Sequence, residues 1–345
     1  MRRRGVFKQL LLFCLVGFVV TTLYHTLLVQ SSIENGRHIE QPLLQTTLST
    51  TIPSPRKIAP IDCRKILEYD KTEIDKANTY MKIHPPVRLK DEDFIKLSKD
   101  CVQFRRSMRY DTYTVTNEEV DFPIAFSILT YKDVDQTERL LRAIYRPQNF
   151  YCIHVDLTSP PVVHKALRSI SQCFGNVFIV SKTEDIIYNH MSRLKADLNC
   201  MSDLLSMSEK WKYLINLPHQ DFPLKTNLEM VKILKIYNGA NDIEGIISPG
   251  RMMSKRFKRS HKYVNKTWID MGEKRTKPPY NASIVKGSAY GVFSRQFIHY
   301  ILKSKEAEDM LKYMEDVKSP DEYYWATLNH NKVLKAPGRY LGKHY

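Results

Sequence analysis

His154-Val-Asp156 closes an apolar run, and the chain then breaks into Thr158-Ser-Pro-Pro161. A carboxylate at such a strand end can accept hydrogen bonds from a ribose or a base edge, although an isolated Asp more often caps a helix or faces solvent. Asp221-Phe-Pro223 carries the same two readings. Further on, Ser319-Pro-Asp-Glu322 runs into Tyr323-Tyr-Trp325. Burial against rings raises a carboxylate's pKa and suits it to general-base work, and rings stack on the apolar faces of sugars. The same four residues also read as a helix start, with Ser319 as the cap and Glu322 at the third helical position. A basic stretch containing Arg251, Lys255, Arg256, Lys258, Arg259, His261 and Lys262 can face a phosphate or an acidic sugar, but charge runs are more often solvated loops. No Gly-x-Gly-x-x-Gly, no P-loop and no Cys/His spacing suited to zinc is present.

The elements that must position these residues alternate. Ile124–Thr130 is an apolar run of strand length. Asp135-Gln-Thr-Glu138 has capping-box spacing ahead of the helical pattern Arg139–Ile144. Tyr151–Asp156 reads as a second strand, Val162–Cys173 as a helix, Val177–Val180 as a third strand, Met191–Met207 as a long helix and Tyr213–Leu217 as a fourth strand. Such alternation calls for an α/β fold with a mostly parallel sheet covered by helices on both faces, and for ligands beyond the carboxyl ends of the strands. Upstream, helices are expected over Lys71–Lys82 and Asp91–Asp100. Gly287-Ser-Ala-Tyr290 precedes Val292-Phe293 and enters a strand or a tight turn.

The N-terminus has another chemistry. Arg2, Arg3, Arg4 and Lys8 precede an uncharged apolar run over 10–29. About 20 helical residues cross a bilayer, and cations ahead of the run favour a cytoplasmic N-terminus. This predicts a cytoplasmic tail (1–9), a signal anchor (10–29), a Thr- and Pro-rich stem (30–60) and a luminal domain (61–345). A cleaved signal peptide has a shorter apolar core and a small-residue cleavage site, which Val29-Gln-Ser-Ser32 matches poorly. The formal net charge of +16 suits anionic ligands, and luminal placement argues against nucleic acid as the partner. Cys63, Cys101, Cys152, Cys173 and Cys200 lie beyond the anchor, so two bridges would leave one thiol over. Asn265-Lys-Thr and Asn281-Ala-Ser are N-glycosylation sequons.

Arg139–Tyr145, Pro147–Asp156, Lys195–Met201, Trp211–Leu217, Asp221–Asn227, Gly287–Tyr290 and Ser319–Glu322 occur in this order. Together they resemble the core 2 / I-branching β1,6-N-acetylglucosaminyltransferases, a glycosyltransferase family that also holds the protein xylosyltransferases. The resemblance runs from about Cys63 to Ala326. It implies a Golgi type II membrane enzyme with a GT-A-like nucleotide-sugar domain. Such an enzyme inverts configuration without a divalent metal or other cofactor, taking UDP-N-acetylglucosamine as donor and a galactose or N-acetylgalactosamine unit of a glycan as acceptor. Consistently, His154-Val-Asp156 is not the Asp-x-Asp of metal-dependent relatives. By position, Leu129, Thr130, Tyr131, Asp156 and Tyr188 would contact the donor nucleotide. Glu322 would be the catalytic base at the acceptor, with Glu244 and Lys255 or Arg256 as further acceptor contacts. The implied disulfides are Cys101–Cys173 and Cys152–Cys200. Cys63 matches a cysteine whose partner lies further along than this chain extends, which leaves it available for a disulfide-linked dimer. The resembled enzymes also continue beyond the Ser-Pro-Asp-Glu segment, and two basic residues there hold the UDP phosphates. Here only Thr327–Tyr345 follow, and Lys332, Lys335, Arg339 and Lys343 match neither. Alternative readings are a non-catalytic luminal glycan- or nucleotide-binding protein on the same fold, or a xylosyl- or glucosyltransferase.

Overall fold

The computed structural model describes residues 60–85, 88–246, 251–265 and 267–339. The expected tail, anchor and most of the stem lie outside the described residues; among those described, no helix is long and apolar enough to cross a membrane. Residues up to Pro86 form one unit and Val87 onward another. In the first, α1 (Cys63–Leu67) and α2 (Lys71–Ile83) are each capped by an aspartate, Asp62 and Asp70. Cys63 is exposed and free.

The second unit opens with α3 (Asp91–Leu97), α4 (Cys101–Ser107) and α5 (Asn117–Val120). The helix expected over Asp91–Asp100 ends three residues early, because Asp100 instead accepts from the Gln103 N–H and starts α4. Then follow β1 (Ile124–Thr130), α6 (Val134–Ile144), β2 (Phe150–Val155), α7 (Pro161–Ser171), β3 (Val177–Ile179), α8 (Met191–Met207) and β4 (Tyr213–Pro218). The alternation read from the sequence is present, with strand ends moved by a residue or two. Helix α6 starts before its expected box. Asp133, in the left-handed region at φ 60°, accepts from the Gln136 N–H, so Asp135 and Glu138 fall inside the helix. Asp135 pairs with Arg139, and buried Glu138 pairs with Arg142.

Beyond β4 come α9 (Asn227–Tyr237), α10 (Arg251–Lys258), the hairpin β5 (Arg259–Val264) and β6 (Thr267–Lys274), β7 (Val292–Ser294), α11 (Arg295–Lys303), α12 (Lys305–Tyr313) and α13 (Asp321–His330). The basic stretch is therefore a helix leading into a strand and not a loop. The main sheet has the order β3-β2-β1-β4-β7, parallel except for β7 at the edge.

Alternation along β1 builds two cores. Ile124, Phe126 and Ile128 join Phe94, Phe104, Leu140, Leu167 and Val231 on one face. Ala125 joins Leu194, Met201, Phe297, Met310 and Trp325 on the other. Each face adds a disulfide, Cys101–Cys173 and Cys152–Cys200, in the pairing the resemblance implied. This mostly parallel sheet with helices on both sides leaves the carboxyl ends of β1, β2 and β4 free to hold a site.

Candidate active site

Those strand ends surround a cavity of about 790 Å3. Leu129 and Thr130 come from the end of β1, Asp156 follows β2, Pro218 ends β4, and Tyr188 reaches in from the segment ahead of α8. All five residues expected at a donor nucleotide, Leu129, Thr130, Tyr131, Asp156 and Tyr188, line this one cavity. Thr130 is held by Thr137 Oγ1 at 3.0 Å. The Tyr131 ring stands edge-on to His219 and has the Lys132 ammonium 4.9 Å from its centroid. Asp221 does not line the cavity; its neighbour Gln220 does. Burial raises the pKa of Asp221.

Asp156 is only 5% exposed. Its Oδ1 accepts from the Thr158 N–H at 2.8 Å and the Thr158 hydroxyl at 2.6 Å, and its Oδ2 accepts from the Ile186 N–H at 2.8 Å. The carboxylate thus fixes both the turn after β2 and the segment that carries Tyr188. His154 assists from within the strand, its Nε2 accepting from the Glu184 N–H at 2.9 Å. Burial lowers the pKa of this imidazole, ahead of the opposing pull of Asp197 and Asp156, which suits a neutral ring that accepts. Tyr188 is 85% exposed at the rim.

The second cluster is built by contacts distant in sequence. Glu322 lies in the first turn of α13, and its Oε2 is 3.0 Å from Arg256 Nη1 and 3.8 Å from Lys286 Nζ. Arg256, not the exposed Lys255, is the basic residue that meets Glu322. Gly287 explains why Glu244 belongs nearby. Its N–H donates to the Glu322 carbonyl at 2.7 Å, and a Cβ on it would stand 2.2 Å from the Glu244 carbonyl oxygen and 2.8 Å from Ala326 Cβ. Only glycine lets these backbones approach so closely. The Glu244 side chain is exposed.

Two expectations for Ser319-Pro-Asp-Glu322 change. The Ser319 side chain does not cap α13; its hydroxyl donates to Asn189 Oδ1 at 2.7 Å, and its N–H donates to the Asn189 carbonyl at 2.8 Å. Both residues are left-handed, at φ 60° and 62°. Nor is Glu322 buried among the rings: Tyr323, Tyr324 and Trp325 enter the core, while the Glu322 side chain keeps 29% of its surface exposed beside two cations. Burial falls instead on Asp321, whose pKa it pushes up to about 6 against the pull of Arg193. The Ser319–Asn189 bonds join the Glu322 segment to the segment bearing Tyr188.

Sequence reasoning missed Arg193. It lines the cavity, stacks 5.3 Å from the Tyr290 ring centroid and pairs with the fully buried Asp197. Asp197 also accepts from Asn216 at 3.1 Å and from Ser127 at 3.3 Å. Asn216 in turn accepts from the Gly291 N–H at 2.8 Å and donates to the Ala289 carbonyl at 2.9 Å, which fixes the Gly287–Tyr290 segment. The signal was an Arg and an Asp four residues apart on an otherwise apolar helix face. Among the described residues no group of three or more His, Cys, Asp or Glu side chains is arranged to hold a metal ion. Asn265, at the β5–β6 turn, and Asn281 are both exposed.

Comparison with known proteins bears on the same segments. Residues 124–340 match the model of the family described as "Branch: Core-2/I-Branching enzyme". A human beta-1,3-galactosyl-O-glycosyl-glycoprotein beta-1,6-N-acetylglucosaminyltransferase is 40% identical over 287 residues, 82% of this chain and 66% of that protein. The bovine protein of the same description is 41% identical over 281 residues, 81% of this chain and 65% of that protein. A zebrafish (Danio rerio) relative, described as number 4 of the series, is 39% identical over 348 residues, 98% of this chain and 79% of that protein. The chain thus spans just under two thirds of the length of the human and bovine relatives. On the family match and the zebrafish alignment, the chain belongs to the Core-2/I-Branching enzyme family.

Proposed function

We propose that the chain is an inverting, metal-independent glycosyltransferase on a GT-A-like fold. It transfers N-acetylglucosamine from UDP-N-acetylglucosamine in β1,6 linkage to a galactose or N-acetylgalactosamine unit of an O-glycan. The observation that carries this reading is the convergence of Leu129, Thr130, Tyr131, Asp156 and Tyr188 on one strand-end cavity, tied through Ser319 and Asn189 to the segment bearing Glu322. The printed activities of the human, bovine and zebrafish relatives support it.

In the proposed reaction Glu322 accepts the proton of the acceptor's 6-hydroxyl as that oxygen attacks the anomeric carbon. The bond from that carbon to the diphosphate oxygen breaks, and UDP leaves with the electron pair. Arg256 and Lys286 hold the carboxylate in place. Glu244 and Arg256 contribute to the acceptor side. Asp156 keeps the nucleotide wall in shape. Preorganised cations stabilise a departing diphosphate. Among the described residues Lys132 and Arg193 line this cavity; Asp197 already balances the charge of Arg193, which leaves Lys132 as the cation available to the diphosphate.

The same reading takes the run over 10–29 as a signal anchor and 30–60 as a stem, with the catalytic domain in the Golgi lumen. Asn265 and Asn281 are then accessible to N-glycosylation, and exposed Cys63 to a disulfide with a second chain. The test is a donor screen on the purified chain with an O-glycan acceptor, with and without EDTA. The reading expects transfer from UDP-N-acetylglucosamine that EDTA leaves unchanged. Transfer only from a UDP-xylose or UDP-glucose donor, loss of activity in EDTA, or nucleotide binding without turnover would each overturn it.

A further inference from the structure

Asn189 and Ser319 are 130 residues apart in sequence and share two hydrogen bonds, hydroxyl to amide oxygen and N–H to carbonyl. Both stand in the left-handed region, at φ 62° and 60°. That region is uncommon away from glycine, and Asn accepts it more readily than Ser. Such backbone persists where surrounding contacts over-determine it, and it gathers at functional sites. Contacts fix both partners here. Ahead of Asn189, the Ile186 N–H donates to Asp156 Oδ2 and the Ile187 N–H donates to Ser192 Oγ at 2.9 Å. Just after it, His190 caps α8. Ser319 is 1% exposed, and its carbonyl accepts from the Glu322 N–H at 3.1 Å, which closes the turn that starts α13. Its hydroxyl oxygen also stands 3.5 Å from Arg256 Nη1, the nitrogen that meets Glu322. Asn189 thus belongs to a segment clamped to the nucleotide wall, and Ser319 to the turn that carries Glu322.

We propose that Asn189 is a positioning residue for Glu322. It holds Ser319, and Ser319 holds the turn from which the Glu322 side chain reaches the acceptor. This inference rests on the reading of Glu322 as base and deepens it. Any residue at 189 offers the carbonyl, but the bond to the Ser319 hydroxyl needs a side-chain acceptor there. Tyr188, not Asn189, lines the cavity, so Asn189 acts on transfer through Ser319 and not by touching the nucleotide. The carboxylate itself is held only by Arg256 and Lys286, both on long side chains, so its place depends on where its backbone starts. A reacting group displaced by about 1 Å can cost about a hundredfold in rate.

The test compares wild type with Asn189→Gly, Asn189→Asp, Ser319→Ala and the double variant of Asn189→Gly with Ser319→Ala. For each, the transfer rate at saturating UDP-N-acetylglucosamine, the affinity for UDP and a melting curve are measured. Asn189→Gly keeps the left-handed backbone and removes only the amide. Asn189→Asp keeps an acceptor oxygen in the same place and tolerates the same φ. Asn189→Gly and Ser319→Ala should each lower the rate about tenfold and leave UDP affinity within about twofold of wild type. The double variant should be no slower than either single one, because both remove the same bond. Asn189→Asp should keep the rate within about threefold of wild type. An unchanged rate in Asn189→Gly, with or without a lowered melting temperature, would make the bond structural and overturn the proposal. Equal falls in rate and UDP affinity would place Asn189 in the nucleotide wall and overturn it, as would losses that multiply in the double variant or a failure of Asn189→Asp to keep the rate. If wild type itself transfers nothing, the transferase reading fails and takes this inference with it.

Discussion

Asp156 and Glu322 are both carboxylates at the ends of regular elements, but they are held in opposite ways. Asp156 is 5% exposed, and its oxygens accept from groups at Thr158 and Ile186, all in the wall of the cavity. The Glu322 side chain keeps 29% exposure and meets two cations drawn from Arg256 and Lys286. The first carboxylate uses its lone pairs to hold backbone, so it shapes a surface. The second is held only by the tips of long side chains and can exchange a proton with something outside the protein. On the proposed reading, the nucleotide side is thus rigid wall and the acceptor side is poised chemistry.

Glu322→Gln cuts most deeply into that comparison. The amide keeps size and polarity but cannot take the proton, so the rate of transfer should fall by about 10²–10⁴-fold while UDP affinity stays the same. A fall of less than tenfold would remove the distinction between the two carboxylates. Gly287→Ala comes next. Its Cβ would sit 2.2 Å from the Glu244 carbonyl, and overpacking of this kind costs about 1–3 kcal/mol, so a clearly lowered midpoint in denaturant is expected.

The two sides also differ in what the amino-acid order reveals. Strand ends are local: an apolar run, a carboxylate and then Pro-Pro is enough to locate Asp156, and the sheet follows from periodicity. The Glu322 cluster depends on pairs far apart in the chain, such as Ser319 with Asn189 and Arg256 with Glu322. Nothing near Ser319 indicates that its hydroxyl leaves its own helix for Asn189, so a cap was the natural local expectation. Asp133 shows the same limit, since its left-handed φ starts α6 ahead of the better-looking box at Asp135. The basic stretch read as a loop because its charges hide the helix and strand that the rest of the fold imposes. Arg193 shows in sequence only as an Arg four residues ahead of an Asp on an apolar helix face; its place in the cavity follows only once α8 packs against β1 and β2.

Asp156→Asn sharpens the contrast from the other side. The amide retains one acceptor oxygen, so either the Thr158 or the Ile186 donor loses its partner, at about 1–3 kcal/mol. UDP affinity should fall about tenfold, and the transfer rate at saturating donor should change less than in Glu322→Gln. The reverse pattern would interchange the roles assigned to the two carboxylates.

The smallest effect concerns pH. Burial pushes Asp321 up to about 6, against the pull of Arg193 and with Glu322 and Asp197 adding to the rise. The unfolded carboxyl titrates at about 3.9. The folded state therefore keeps this proton when the unfolded chain has lost it, and the contribution of Asp321 to stability is fully present below about pH 4 and is lost as pH rises to 6. Asp321→Asn should gain stability relative to wild type by about 1–3 kcal/mol between pH 4 and pH 7 in denaturant titrations. A constant difference across that range would mean the carboxyl is not held protonated.

The proposed reaction, with Glu322 as base at the acceptor, is one in-line displacement. The most direct measurement is the anomeric configuration of the first product formed from the α-linked donor, read by proton NMR before any rearrangement. The account predicts a β-linked product at the acceptor's 6-position, formed by wild type and scarcely by Glu322→Gln. An α-linked product, or equal β-product from both proteins, would contradict it.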